Sequence, residues 1–108
     1  MNYKKYRYNH LGIPTTKRFV NEKYWPNYDI YISGSKENEF NIQWMKCGPK
    51  CTLPKIVQEI PHVGFEVDDI QKAIKGYNVI FGPDNPIDGI TIAFVLINDA
   101  PIEFIQFT

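Results

Sequence analysis

At 108 residues the chain has the size of one ordinary domain, enough for one hydrophobic core and too little for two independent ones. Lysine plus arginine and aspartate plus glutamate balance at twelve each, so no net field favours a nucleic acid or an acidic membrane surface as partner. No apolar run approaches the roughly 18–20 residues that cross a bilayer, and no apolar signal block stands near Met1, so a soluble, cytoplasmic protein is expected.

Along the chain, Lys4, Lys5 and Arg7 interleave with Tyr3, Tyr6 and Tyr8, the ingredients of a stacking platform for single-stranded nucleic acid. One short strand neutralises few phosphates, however, and the stretch reads as an ordinary half-exposed strand running from about Tyr6 to Ile13. A short or irregular helix capped by Thr15 or Thr16 is expected next, then strands around Tyr28 to Ile32 and Phe40 to Lys46, with a turn between Gly34 and Asn38. Cys47 and Cys51 are too few for a disulfide scaffold; their C-x-x-x-C spacing offers two thiolates to a metal, but no second Cys or His pair lies nearby, so they read as reduced loop thiols. Residues 48–60, with Pro49, Pro54 and a short Ile56-Val57 stretch, read as a linker.

The second half is easier to read. Residues 61–67 alternate as a strand, and Asp68 or Asp69 caps a helix with Ile70, Ala73 and Ile74 on one face, ending at Gly76. A strand around Val79 to Phe81 leads into the Pro- and Asp-rich loop Gly82 to Gly89. Ile90 to Ile97 and Ile102 to Phe107 then form a hairpin about Asn98-Asp99-Ala100-Pro101.

Self-similarity organises these elements. His10-Leu11-Gly12-Ile13 returns as His62-Val63-Gly64-Phe65, and Asn41-Ile42-Gln43-Trp44 is answered by Pro101-Ile102-Glu103-Phe104. Two matched pairs in the same order indicate two βαβββ modules, one at about 5–47 and one at about 61–108, in a single α+β domain with the first module the shorter. Neither four-stranded unit can bury both faces alone, so the modules must pack on each other or on another chain.

Strand alternation puts His10 and Gly12 on one face, and His62, Gly64 and Glu66 on one face of the repeat. If a pseudo-twofold relates the modules, His10, Gln43, His62 and Glu103 converge. Two imidazoles, an amide oxygen and a carboxylate suit a divalent ion such as Zn, Ni, Co, Mn or Mg, with positions open to water or substrate. A histidine in a strand is more often packed than ligating; four metal-competent residues at corresponding places of two modules argue for the ligand set.

The H-x-G openings, Phe65-Glu66-Val67-Asp68-Asp69-Ile70 running into a helix, the Gly-Pro loop and the closing Ile102-Glu103-Phe104 resemble the vicinal-oxygen-chelate superfamily. Its members include glyoxalase I, methylmalonyl-CoA epimerase, extradiol dioxygenases, and fosfomycin and bleomycin resistance proteins. The resemblance covers nearly the whole chain, is sharper from Pro61 onward, and implies an eight-stranded cupped sheet with ligands on the first and last strand of each module. The His, Gln, His, Glu order is similar to that of methylmalonyl-CoA epimerases, and glyoxalase I also admits Gln. This implies a metal-dependent lyase or isomerase that abstracts a proton next to a carbonyl of a small substrate, with Glu103 as base when it leaves the metal.

Glu66 is a second base candidate by parity, or a helix-capping or surface carboxylate. The epimerase-type base of the first module has no counterpart here. Thr91, Ala93 and Val95 on one face of the seventh strand, with Met45, Ile105 and Phe107, suggest a small apolar cavity or simply core, and the Gly82 to Gly89 loop reads as a lid over it or as a Pro-rich turn that only reverses the chain. Two other readings stand beside the first: a noncatalytic binder of an antibiotic or metabolite, which needs no metal, and a thiol or epoxide transferase of the fosfomycin kind. The resemblance also implies a homodimer, which would cover open strand edges.

Overall fold

The computed structural model describes residues 6–34 and 38–108. Tyr3, Lys4 and Lys5 of the basic stretch, and the centre of the expected Gly34 to Asn38 turn, lie outside them. The chain forms β1 (Arg7–Pro14), β2 (Lys23–Trp25), β3 (Ile30–Ser33), β4 (Ile42–Cys47), α1 (Lys55–Glu59), β5 (His62–Glu66), α2 (Ile70–Ile74), β6 (Asn78–Asp84), β7 (Ile90–Ile97) and β8 (Ala100–Phe107). All eight strands join one curled sheet in the order β2-β3-β4-β1-β5-β8-β7-β6. No helix among the described residues is long and apolar enough to cross a membrane.

The two halves meet within one chain, through the antiparallel β1–β5 pair. Each half then continues with a parallel neighbour in the same register. Gly12 faces Gln43 across β1 and β4, and Gly64 faces Glu103 across β5 and β8.

The halves differ in their helices. The second runs strand, helix, three strands, with the α2 N-cap Asp69 accepting from Lys72 N at 3.2 Å. In the first half no helix forms after Thr15 or Thr16; residues 15–22 are irregular. The segment has no apolar stripe to bury: Val20 is fully exposed, Arg18 pairs with Glu22, and Phe19 alone reaches back to stack on Trp44, 5.9 Å between centroids. The strand that follows, β2, is implied by a four-stranded unit, but three residues at a sheet edge carry no readable alternation that would place it. The short helix α1 arises instead inside the linker, starting after Pro54, and buries Val57.

Two apolar clusters lie on opposite faces. The convex one packs α2 (Ile70, Ala73, Ile74) against Ala93, Val95 and Phe104. The concave one gathers Tyr28, Ile30, Ile32, Met45, Ile92, Phe94 and Ile105, with Leu53 and Val57 from the linker. The sheet's outer edges are tied across its open side. From the turn between β2 and β3, Tyr28 donates its hydroxyl to Asp84 Oδ2 at 2.7 Å, and Asn27 Nδ2 donates to the Pro86 carbonyl at 2.9 Å. Tyr28 also meets Phe81 edge-on. These contacts hold the sheet as a half-barrel around a cavity.

Candidate metal centre

The concave face encloses a cavity of about 330 Å³. Its walls are mostly apolar, including Trp25, Ile30, Ile32, Met45, Leu53, Phe94 and Ile105, and its polar lining includes Asn9, His10, Lys23, Asn41, Gln43, His62 and Glu103. Met45, Ile105 and Phe107 face it as alternation from the ligand positions requires. On β7 the expected face is the wrong one: Ile90, Ile92 and Phe94 line the cavity, while Ala93 and Val95 pack under α2. That strand is apolar on both faces, so its pattern carries no sign of which side faces in. The Gly82 to Gly89 loop contributes Ile87 to the lining and anchors itself through buried Pro86.

Three of the four expected ligands meet. His10 Nε2 and His62 Nε2 are 3.1 Å apart, and Glu103 Oε1 lies 3.1 Å from the first and 2.9 Å from the second. All three side chains are buried. Crossed glycines make the convergence possible. In the β1–β5 register His10 is opposite Gly64 and Gly12 is opposite His62. A Cβ on Gly12 would stand 2.3 Å from the His62 ring, and one on Gly64 would stand 2.4 Å from the His10 ring. Each H-x-G motif therefore makes room for the other motif's imidazole.

Gln43, the fourth, lines the same cavity on β4, related to Gly12 as Glu103 is to Gly64. It makes no hydrogen bond to the other three. Glu66 lies elsewhere. It is the last residue of β5, opposite Arg7, and with Asp68 it holds that guanidinium in an exposed pair at 3.0 and 2.8 Å. It does not line the cavity, so the surface-carboxylate reading describes its place.

A divalent ion fits the donor set, and the hydrogen-bond pattern says why. The oxygen Asn9 Oδ1, which only accepts, lies 2.8 Å from His10 Nδ1, so the ring carries its proton there. Without a second proton on the ring, His10 Nε2 turns a lone pair toward Glu103 Oε1. Two lone pairs facing at 3.1 Å repel unless a proton or a cation stands between them. Donors about 3.0 Å apart also match two bonds of about 2.1 Å at right angles, the spacing of one face of an octahedral site. Burial alone would raise the carboxyl pKa of Glu103; with a proton between each imidazole and the carboxylate, the His10 and His62 contacts outweigh burial and hold the group down at about 2, an anion at neutral pH, and a cation in the same place would fill the same role. His62 Nδ1 has no partner and is buried, so the two histidines are not equivalent.

Asn9 was not anticipated. Strict alternation points it away from the side His10 faces, but β1 bulges between Tyr8 and His10, and Asn9 is the extra residue. Its carbonyl accepts from Asn41 Nδ2 at 3.0 Å, and Asn41 itself adopts φ of +53°. Both asparagines line the cavity. Asn9→Ala is expected to weaken divalent-metal binding about 10- to 100-fold with the fold intact, as measured by calorimetric titration of the apoprotein. Asn9→Asp keeps an acceptor and should keep most of the affinity.

No family profile matches the chain, and no curated protein does. Solved structures with the same fold are found. A hypothetical protein from Bacillus halodurans superposes with a TM-score of 0.69 at 17% identity, covering 97% of this chain and 96% of that one. Methylmalonyl-CoA epimerase from Mycobacterium tuberculosis superposes with a TM-score of 0.63 at 14% identity, covering 94% of this chain and 88% of that one. At these identities the likeness is one of fold alone, an eight-stranded curled half-barrel.

Proposed function

We propose that the protein is a metal-dependent lyase or isomerase that removes a proton next to the carbonyl of a small, largely apolar substrate. The observation that carries this reading is the buried triangle of His10 Nε2, His62 Nε2 and Glu103 Oε1 opening onto an apolar cavity. His10, His62 and Glu103 would hold the ion, with Gln43 as the fourth donor facing the same space. Zn, Ni, Co, Mn and Mg all accept such N and O donors. Bound there, a divalent ion supplies positive charge that stabilises oxygen anions developing next to the broken C–H bond.

The chain's own residues define the rest. The cavity stands at the low end of the usual range for ligand pockets, about 300–1,000 Å³, so it takes a small molecule or the acyl end of a larger one. Apolar walls exclude water around the polar end, which strengthens every charge interaction inside. Glu103 is the one carboxylate lining the cavity among the described residues, and we assign it the base role. In the resting arrangement its imidazole contacts make it a weak base. As a ligand it would be weaker still, because a cation beside a carboxylate lowers its proton affinity, so it would act as the base on leaving the ion. Tyr28 also lines the cavity, but burial and its bond to Asp84 push its phenol far above the usual range and rule it out as a base at neutral pH. The fold shared with methylmalonyl-CoA epimerase supports chemistry at a carbon next to a carbonyl.

Incubating metal-loaded protein in D₂O with hemithioacetals and short branched acyl thioesters tests the proposal by proton NMR. Metal-dependent deuterium incorporation next to the carbonyl, lost in Glu103→Gln, is expected. Binding of these compounds without exchange, under any of the five metals, would instead establish a noncatalytic binding protein. Thiol addition to fosfomycin without exchange would assign the transferase reading.

A further inference from the structure

We propose that Cys47 and Cys51 form a reversible intramolecular dithiol–disulfide site, oxidised by peroxides, at the turn that leads from β4 into the cavity wall. Both cysteines are free and half-buried, and Cys51 Sγ lies 2.9 Å from Cys47 Sγ. No other cysteine exists in the chain to compete for either.

The turn between them is held from outside. Gly48 N donates to the Asp29 carbonyl at 2.8 Å and Lys50 N donates to Asp29 Oδ2 at 2.7 Å, while the second carboxylate oxygen accepts from Tyr24 at 2.8 Å. The Asp29 side chain sits directly over Gly48, where a Cβ would come within 2.3 Å of it. Cys51 N closes the turn on the Gly48 carbonyl at 3.2 Å. The fixed turn thus holds the two sulfurs against each other at 2.9 Å. Entropy is already spent on holding them adjacent, which favours an intramolecular bond over attack by a second chain.

Neither cysteine belongs to the candidate ligand group or lines the cavity itself. Both cysteines pack against the concave cluster, with Met45 two residues before Cys47 and Leu53 two residues after Cys51 in the cavity wall. Burial, contact with Cys51 and the nearby Asp29 charge push the Cys47 thiol up. One of the two thiolates attacks one peroxide oxygen, the O–O bond breaks, and hydroxide leaves to take a proton, giving water and a sulfenic acid on that cysteine. The other sulfur then gives its proton to solvent and attacks the sulfenic sulfur; the S–S bond forms, the S–O bond breaks, and the leaving hydroxide takes a proton to become a second water. Two thiols and one hydrogen peroxide become one disulfide and two waters.

The experiment treats the full, metal-free protein with hydrogen peroxide, counts thiols with a chromogenic disulfide reagent, and maps tryptic peptides. Cleavage after Lys46, Lys50 and Lys55 puts the two cysteines on separate peptides, residues 47–50 and 51–55, so a bond between them appears as a linked pair. The expected result is loss of both thiols, that linked pair lighter by two hydrogens than its parts, a single chain on a non-reducing gel, and full recovery with dithiothreitol. Cys47→Ser and Cys51→Ser should each lose the internal bond, and the remaining thiol, where oxidised, should stop at a sulfenic acid trapped by dimedone. Retention of both wild-type thiols, or chain-to-chain crosslinking in place of the internal bond, would overturn the proposal. Neither outcome depends on metal binding.

Discussion

Replacing Glu103 by glutamine lowers the affinity for divalent metal by on the order of a hundredfold or more, while the fold survives. Glu103 is the sole anion in the set of His10, Gln43, His62 and Glu103. Losing even an outer partner of a ligand costs about 10- to 100-fold, and a first ligand costs at least that. Glutamine keeps the length and one oxygen of the side chain, so the cavity keeps its shape. What it removes is the charge that balances a dication in a buried, mostly apolar place. Calorimetric titration of apoprotein with Zn, Co or Mn measures the change. Circular dichroism of the same samples separates it from unfolding. An affinity equal to the wild type's would mean that Glu103 is only a hydrogen-bond acceptor for two packed histidines.

The second large effect comes from the glycines. Gly12→Ala and Gly64→Ala each put a methyl group within 2.3 to 2.4 Å of an imidazole carbon. The atoms they meet are side-chain atoms, which in an open place would move aside. Here both rings are buried, the His62 ring is held edge-on against Phe94 at 5.0 Å, and the two rings are edge-on to each other at 5.2 Å. Overpacking of this kind costs about 1–3 kcal/mol, read as a lower midpoint in urea. Metal affinity falls with it, because a displaced Nε2 no longer completes the triangle. The effects are crossed. Gly12→Ala should shift mainly the His62 ring signals and Gly64→Ala mainly those of His10, in ¹⁵N NMR of a protein that has only these two histidines. Wild-type spectra and stability in both variants would contradict the packing described.

Much of the site was legible because the repeated tetrapeptides fix where strands begin and which way alternate residues point. His10, His62 and Glu103 follow from that parity together with the repeat, since β1 from His10 onward, β5 and β8 keep their alternation. The reason for the glycines was legible only in part. Room beside a histidine is implied by H-x-G, but that the room serves the opposite histidine requires the β1–β5 pairing, a contact across 52 residues of chain. Asn9 escaped notice because a bulge breaks the parity argument and leaves no mark in composition. Glu66 shows the converse: correct parity is not enough at the end of a strand, where Arg7 and Asp68 take the side chain to the surface. β7 could not be oriented, being apolar throughout, and the missing first helix reflects a segment too polar to bury a face.

Metal analysis of protein purified without chelator or affinity tag, before and after reconstitution, tests the central claim most directly, alongside a His10→Ala, His62→Ala double variant. The account predicts about one divalent ion per wild-type chain and none in the variant. Wild-type protein that holds no metal even after reconstitution would contradict it, leaving the His10, His62 and Glu103 triangle as a hydrogen-bonded element of a ligand-binding cavity.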